Sequence, residues 1–409
     1  MAIAKLVGTI QNYAWGSLEL LPKLLGKPVP SAKPEAELWF GTHQNAPSSV
    51  RLAQGTQRLD TFIEQNPLIE LGARTLQEFG QLPFLLKILA VGRPLSIQAH
   101  PSAEQARAGY LRERAQGISP TDPHANYRDE WPKPELLCPL TEFNALCGFR
   151  PASELVRLFD ALGGNCFSAA AQVLRNQPET EALRELVCTW LTTNGDARIS
   201  MVRSGLDACR SAISKSEVAT DAQLALDLAA LSPGDPGVLV ALLLKHVHLS
   251  PGEGLFVPAG VMHAYLGGLA VEVMANSDNV LRGGLTPKHV DVAELLSVVR
   301  FSADLPQLVT LGVSDGLEQW FEVDVPHFHV SRVCVEPQRH WCASIRIGPE
   351  MLLCVEGRLN VMSPATEALT LGPGECAWIS AAQDVYCAAG QGMAYRVQVG
   401  APSGGVRRQ

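Results

Sequence analysis

The 409-residue sequence predicts a mainly β protein interrupted by an α-helical insertion. Three observations predict it. The apolar period changes near residue 151, a run of prolines and glycines ends the changed texture at 232–237, and one segment is echoed later in the chain at constant spacing.

From residue 1 to about 150, short apolar runs alternate with Gly and Pro, as in Leu82-Pro-Phe-Leu-Leu-Lys-Ile-Leu89. Such a run suits a buried strand, although a helix segment can share its apolar character. From 151 the period is helical. Leu155, Leu158, Phe159 and Leu162 fall at i, i+3, i+4 and i+7, as do Leu183, Leu186, Val187 and Trp190, and Leu224, Leu228 and Leu231 continue the stripe. Ser232-Pro-Gly-Asp-Pro-Gly237 breaks it, and after 237 a strand texture is expected to return and persist to about 400. The expected division pairs 1–150 with 238–310 as one β domain, inserts 151–237 as a helical domain, and leaves 311–409 as a second β unit.

The echo supports that division. Leu249-Ser-Pro-Gly-Glu-Gly-Leu-Phe-Val-Pro-Ala-Gly260 resembles Leu371-Gly-Pro-Gly-Glu-Cys-Ala-Trp-Ile-Ser-Ala-Ala382 at an offset of 122. Each copy has a Pro-Gly turn, a glutamate and an apolar run fit for a strand. His263 falls opposite Val385 in this alignment, so a ligand available to the first unit is missing from the second, which is expected to hold no metal.

Composition narrows the function. The formal charge is −8, from 33 Lys and Arg against 41 Asp and Glu, which disfavours a general nucleic-acid or anionic-membrane binder. The longest apolar stretch, Val238–Leu244, is too short to span a bilayer, and Met1–Trp15 lacks the apolar core of an export signal. Ten cysteines without a CxxC pair read as buried thiols of a cytoplasmic protein rather than as a disulfide framework or a metal site.

Polar residues with ligand chemistry stand out against the apolar runs. In Leu95-Ser-Ile-Gln-Ala-His-Pro101, Gln98 and His100 share a face if the segment is extended. Ser102 and Gln105 form a capping-box pattern, so a helix is expected to start directly afterwards. Glu135 of Lys133-Pro-Glu135 leads into Leu136, Leu137 and Cys138, where an uncompensated charge would be costly. His263 follows the apolar run Leu255–Val257. Gln98, His100, Glu135 and His263 offer two nitrogens and two oxygens, a set that suits zinc or a similar divalent ion. His246 and His248, also two residues apart, could chelate from one strand face, and composition does not choose between the two pairs.

The order Gln-Ala-His-Pro, Lys-Pro-Glu, His-Ala-Tyr and Asn276-Ser-Asp-Asn-Val-Leu-Arg-Gly-Gly-Leu-Thr-Pro-Lys288 resembles the type I mannose-6-phosphate isomerase family, as do Asn12-Tyr-Ala-Trp-Gly16 and Glu37-Leu-Trp-Phe-Gly-Thr-His43. That resemblance covers residues 12 to 288. It implies two cupin (jelly-roll) barrels beside the helical domain and one zinc ion per chain on Gln98, His100, Glu135 and His263. It further implies catalytic roles for Arg282 and Lys133, and a pocket lined by Ser96, Lys87, Glu272, Asp278 and Tyr265. The implied reaction interconverts mannose 6-phosphate and fructose 6-phosphate through an enediolate. The implied partner is a small sugar phosphate, with no nucleic acid or membrane, for a chain that can act as a monomer.

The family commonly has Asn-His before Lys-Pro-Glu, whereas this chain has Trp131-Pro132. A mechanism that used that histidine for proton transfer has no titratable group here. A metal-cupin oxygenase or decarboxylase, and a non-catalytic sugar-phosphate sensor, are the rival readings.

Overall fold

In a computed structural model, the described residues are 3–401 except 305, 313–315, 344–345 and 365, so the end of the expected 311–409 unit lies outside them. The protein is mainly β with helices, and its strands form two large antiparallel sheets.

The first sheet runs Gln307–Thr310, Glu253–Val257, Glu135–Pro139, His263–Ala275, Phe84–Val91, Glu37–Phe40 and Thr9–Gln11 in hydrogen-bonded order. Its organiser is the long strand His263–Ala275. The C-terminal half pairs with Phe84–Val91 and Glu135–Pro139, while the N-terminal end pairs with Gln98–Ala99 and Phe143–Phe149. The apolar run 82–89 is thus a strand, buried along its whole length because both faces are covered. One face carries Leu86, Ile88, Leu136, Val271 and Val273 into a core shared with Met351, Leu353, Trp378, Tyr395 and Val397 of the second sheet. The alternate face carries Lys87, Glu272 and Glu135 inward, so the two-residue period separates core packing from chemistry.

The second sheet orders Glu318–Trp320, His329–Val335, Cys387–Gln398, Glu350–Ser363, Cys376–Ile379, Ile3–Val7, Ser49–Leu52 and Gly55–Arg58. Three strands from the first 60 residues therefore pair into the sheet built otherwise from the C-terminal part. Ile3–Val7 supplies the link, lying beside Cys376–Ile379.

The helical period produces five helices: Ala152–Leu162, Gly164–Asn176, Glu179–Thr192, Gly195–Ala212 and Ala219–Leu231. Their stripes pack on Ile97, Ala99, Leu146, Phe149, Met262, Ala264 and Leu281, the outward side of the strands that meet the N-terminal end of His263–Ala275. The expectation that strand texture returns directly after 237 is corrected: Gly237–Leu243 is a sixth helix, with all seven residues buried. A segment apolar on every side has no amphipathic period, so its pattern could not distinguish helix from strand. The capping box at Ser102 and Gln105 is formed in both directions and starts the helix Ala103–Ala115. Among the described residues, no helix is long and apolar enough to cross a membrane.

The echo has a physical counterpart. The Glu253 carboxylate accepts from the Ser250 N–H at 2.7 Å, and the Glu375 carboxylate accepts from the Gly372 N–H at 2.9 Å, so the same turn opens Glu253–Val257 and Cys376–Ile379. The expectation that all ten cysteines are thiols is corrected. Cys342 and Cys387 face each other across neighbouring strands and form a disulfide, with Cα atoms 4.0 Å apart. Their separation of 45 residues carries no local signal; only the strand register brings them together. The other eight cysteines are free.

Candidate active site

Glu135 opens its strand opposite Val257 and Met274, which directs it to the inner face. His100 follows the short strand Gln98–Ala99, and His263 begins the long strand. Ligand atoms of His100, Glu135 and His263 lie within 4.8 Å of one another, and all three residues are buried. Gln98 stands opposite both His263 and Arg282 in the strand register, so these three share one face.

The proton positions decide what this cluster can hold. His100 Nδ1 lies 2.7 Å from the Asn279 carbonyl oxygen, and His263 Nδ1 lies 3.0 Å from that of Val261. A carbonyl only accepts, so each neutral ring carries its proton on Nδ1 and leaves a lone pair on Nε2. Burial, with Lys133 nearby, pushes the His100 pKa down to about 4 and keeps that ring neutral. Both Nε2 atoms face the Glu135 carboxylate, at 3.1 and 3.5 Å, yet both are buried without a hydrogen-bond partner. Lone pairs opposed to carboxylate oxygens call for a cation, and the residues present fit a divalent metal.

Glu135 is further engaged by Lys133 Nζ at 3.0 Å, and Tyr265 donates its hydroxyl to the carboxylate at 3.0 Å. Burial resists ionisation of Glu135, but the neighbouring Lys133 ammonium outweighs it and holds the carboxyl well below the usual range. Lys87 Nζ sits 3.1 Å from Glu272 and 3.6 Å from Glu37, and it stacks over the Trp39 ring. Burial pushes the Glu272 carboxyl up, against the opposing effect of Lys87. Asp278 receives His43 Nε2 at 3.0 Å and Asn45 Nδ2 at 3.1 Å. With Arg128, Trp131 and Tyr110, it lines a polar cavity of about 320 Å³.

Arg282 has no carboxylate within ion-pair distance among the described residues. Burial, then the charge of Arg128, lowers its pKa, and Lys288 is lowered by burial, then Arg282, then Arg128. These three cations are near enough to act on one another and have no paired carboxylate among the described residues, although the Arg128 guanidinium donates to the Pro120 carbonyl at 2.7 Å. Ser96 is half-buried two residues before Gln98. The other chelating pair is resolved by exposure: His246 and His248 face solvent, and His248 binds Glu142 at 2.6 Å.

Residues 3–152 match the model of the phosphomannose isomerase type I catalytic domain. The mannose-6-phosphate isomerase of Escherichia coli (strain K12) is 38% identical over 398 residues, covering 96% of this chain and 98% of that protein. The chain belongs to the mannose-6-phosphate isomerase family. The Homo sapiens mannose-6-phosphate isomerase is 32% identical, over 92% of this chain and 93% of its own. A crystal structure of zinc-bound mannose 6-phosphate isomerase superposes with a TM-score of 0.89 at 36% identity, over 98% of this chain and 100% of that one. A substituted form of the Salmonella typhimurium phosphomannose isomerase gives 0.89 at 35%, with the same coverage.

Within this mannose-6-phosphate isomerase family member, sequence reasoning missed the partners of the named residues. His43 was visible only as the end of a motif, and Arg128 lay in a turn-rich segment with no pattern to mark it. Trp131 packs against Phe79 and His327, tying the segment before Lys133 to the second sheet.

The second sheet repeats the geometry with different chemistry. Glu350 lies opposite Ile379, as Glu135 lies opposite Val257, and it is the facing residues Val257 and Ile379 that keep the offset of 122. Tyr386 donates to Glu350 at 2.6 Å, as Tyr265 does to Glu135. The cations facing Glu350 are guanidinium groups: Arg396 binds both oxygens, at 2.9 and 2.8 Å, and Arg346 binds at 2.9 Å.

Proposed function

We propose that the chain is a zinc-dependent aldose–ketose isomerase that interconverts mannose 6-phosphate and fructose 6-phosphate. The observation that carries this reading is the pair of imidazole Nε2 atoms, buried and without a hydrogen-bond partner, that face Glu135. The names of the relatives and the zinc of the matched structure support it. Gln98, His100, Glu135 and His263 would hold one zinc ion per chain. Zinc bound there would supply Lewis-acid polarisation of the oxygens at C1 and C2.

The remaining work falls to side chains. Moving the carbonyl requires taking the C2 proton and returning one to C1. Glu272, paired with Lys87 at 3.1 Å on the face that also carries Glu135, lines the pocket and binds sugar hydroxyls. Lys133 is already paired with Glu135 at 3.0 Å, so its role is to steady negative charge rather than to act as a base. Arg282 stabilises the charge that grows on the enediolate oxygens. Lys87 is already matched by Glu37 and Glu272, which makes it a poor phosphate ligand; Arg128 and Lys288, with the Ser96 hydroxyl, form the anion end. Asp278 orients sugar hydroxyls at the edge of the polar cavity. Tyr265 acts through Glu135.

Each large sheet is proposed to curl into a cupin-type barrel. In the first, Leu89, Leu137, Phe143, Val247, Leu255 and Tyr265 from different strands share one interior cluster. The domain division follows: 1–150 with 238–310, the helices of 151–237, and 311–409, with the first strands crossing into the last unit. A charged metabolite substrate supports a cytoplasmic setting, against the one disulfide, Cys342–Cys387. The chain is proposed to act as a monomer.

The test is a coupled assay of fructose 6-phosphate formation from mannose 6-phosphate, before chelation, after chelation, and after zinc restoration. Activity lost on chelation and regained with zinc is expected. Zinc-loaded protein with no turnover would leave the sensor reading in its place.

A further inference from the structure

Asn279 is fully buried and joins the two ends of the site. Its Oδ1 accepts from the Arg128 N–H at 2.7 Å and the Asp129 N–H at 3.3 Å. Its Nδ2 donates to the carbonyls of Asp129 and Trp131, both at 2.9 Å, and to Asp129 Oδ1 at 3.2 Å. Its own carbonyl accepts from His100 Nδ1 at 2.7 Å. One residue therefore sets the ring and tautomer of a metal-facing histidine while its amide fixes the segment from Arg128 to Trp131. That segment presents Arg128 at one end and leads into Lys133 at the other.

We infer that Asn279 is a positioning residue that fixes the metal end of the site relative to its anion end. The inference rests on the isomerase reading. A sugar phosphate must reach both ends at once, so the separation between His100 and Arg128 has to match the span from the carbonyl carbons to the phosphate. The side-chain amide suits the task because it offers acceptor and donor together, and a buried network with every member satisfied is stiff. Loss of the amide releases the Arg128 backbone, leaving its guanidinium held by the carbonyls of Pro120 and Asp122, and loosens the backbone that aims the His100 ring. The two consequences are linked: weaker metal binding and a weaker grip on substrate from a single substitution.

The test uses Asn279→Ala and Asn279→Asp in the full chain. Asn279→Asp keeps the acceptor but removes the donor and sets a carboxylate against Asp129. The measurements are zinc affinity by chelator competition, the visible spectrum of the cobalt-loaded protein, and kcat and KM with mannose 6-phosphate. Zinc affinity is expected to fall by about 10- to 100-fold, the range for loss of a group that orients a metal ligand. The cobalt bands should shift and KM should rise in the same variants. Parental zinc affinity and KM in both variants, whatever their melting temperatures, would overturn the inference. If Asn279→Ala does not fold, Asn279→Asp decides alone. Parent protein that binds zinc but does not turn over would refute the isomerase reading, and zinc affinity and cobalt spectra would still judge the metal side of this one.

Discussion

Glu135 shows how much one residue can disclose through its chain neighbours alone. A glutamate leading into Leu136, Leu137 and Cys138 needs positive charge nearby, and that requirement by itself points toward a cation. The partners were less legible. His100 and His263 are 163 residues apart, and only the register between Gln98 and His263 brings their segments together. Arg128 could not be found from its neighbours, because its value lies in standing near Arg282 and Lys288 in space. The cationic trio yields a prediction that separates chemistry from binding. Arg282→Ala should lower kcat by about two orders of magnitude, as for loss of a comparable electrostatic donor, with zinc content unchanged. Arg282→Lys should recover part of that loss, since it keeps charge but not the planar fork. Lys288→Ala should raise KM with kcat near the parent value. Steady-state kinetics on zinc-replete variants check all three, and an unchanged kcat in Arg282→Ala would leave that residue at most a binding role.

Elements were legible where their periodicity was strong. The stripes at Leu155–Leu162 and Leu183–Trp190 gave helices because amphipathic faces had a core to meet. Gly237–Leu243 escaped because it is buried on every side, and Ile3–Val7 because five residues cannot announce a partner more than 370 positions away. The echo at 122 residues reached further than its twelve positions suggested, since it also places Glu350 where Glu135 stands. There Arg396 and Arg346 meet the buried carboxylate, so side-chain cations match its charge. Arg396→Ala should destabilise the protein by about 3–5 kcal/mol, because it strips the main counter-charge from buried Glu350. A combined Glu350→Gln and Arg396→Met variant should lose less, because the two fully buried charges are removed together, leaving only the partly exposed Arg346 and Glu318 to lose a partner. Denaturant unfolding of both variants tests this. Equal losses would mean that packing rather than charge dominates there. Metal analysis should accordingly find one zinc per chain, and a second zinc centred among the strands of 318–398 would refute the comparison.

At the scale of the molecule, the site lies inside the first sheet, with the second sheet packed on one outer face and the helices on another. This layering was half visible. The helical insertion could be read from sequence, whereas the shared core between the sheets could not, because it is built from residues on alternating faces of distant strands. The sheet junction also carries a pH dependence. Burial pushes His327 down to about 4, and burial with Arg396 does the same to His329. Both pKa values are depressed in the folded chain, so their stabilising effect is complete above the ordinary histidine pKa and is lost as pH falls toward 4. Each histidine can contribute up to about 3 kcal/mol to that loss. A variant with His327→Asn and His329→Asn should lose less stability than the parent between pH 6.5 and 5, measured by unfolding at each pH. Identical slopes would mean that these two histidines are not the groups taking up protons.

The most direct test of the metal assignment is zinc stoichiometry measured alongside turnover in His263→Ala and Glu135→Ala, with His248→Ala as the comparison. The parent and His248→Ala should each hold one zinc ion and convert mannose 6-phosphate. The two site variants should remain folded, lose the metal and lose nearly all activity. Full zinc occupancy with normal turnover in either site variant would contradict the assignment.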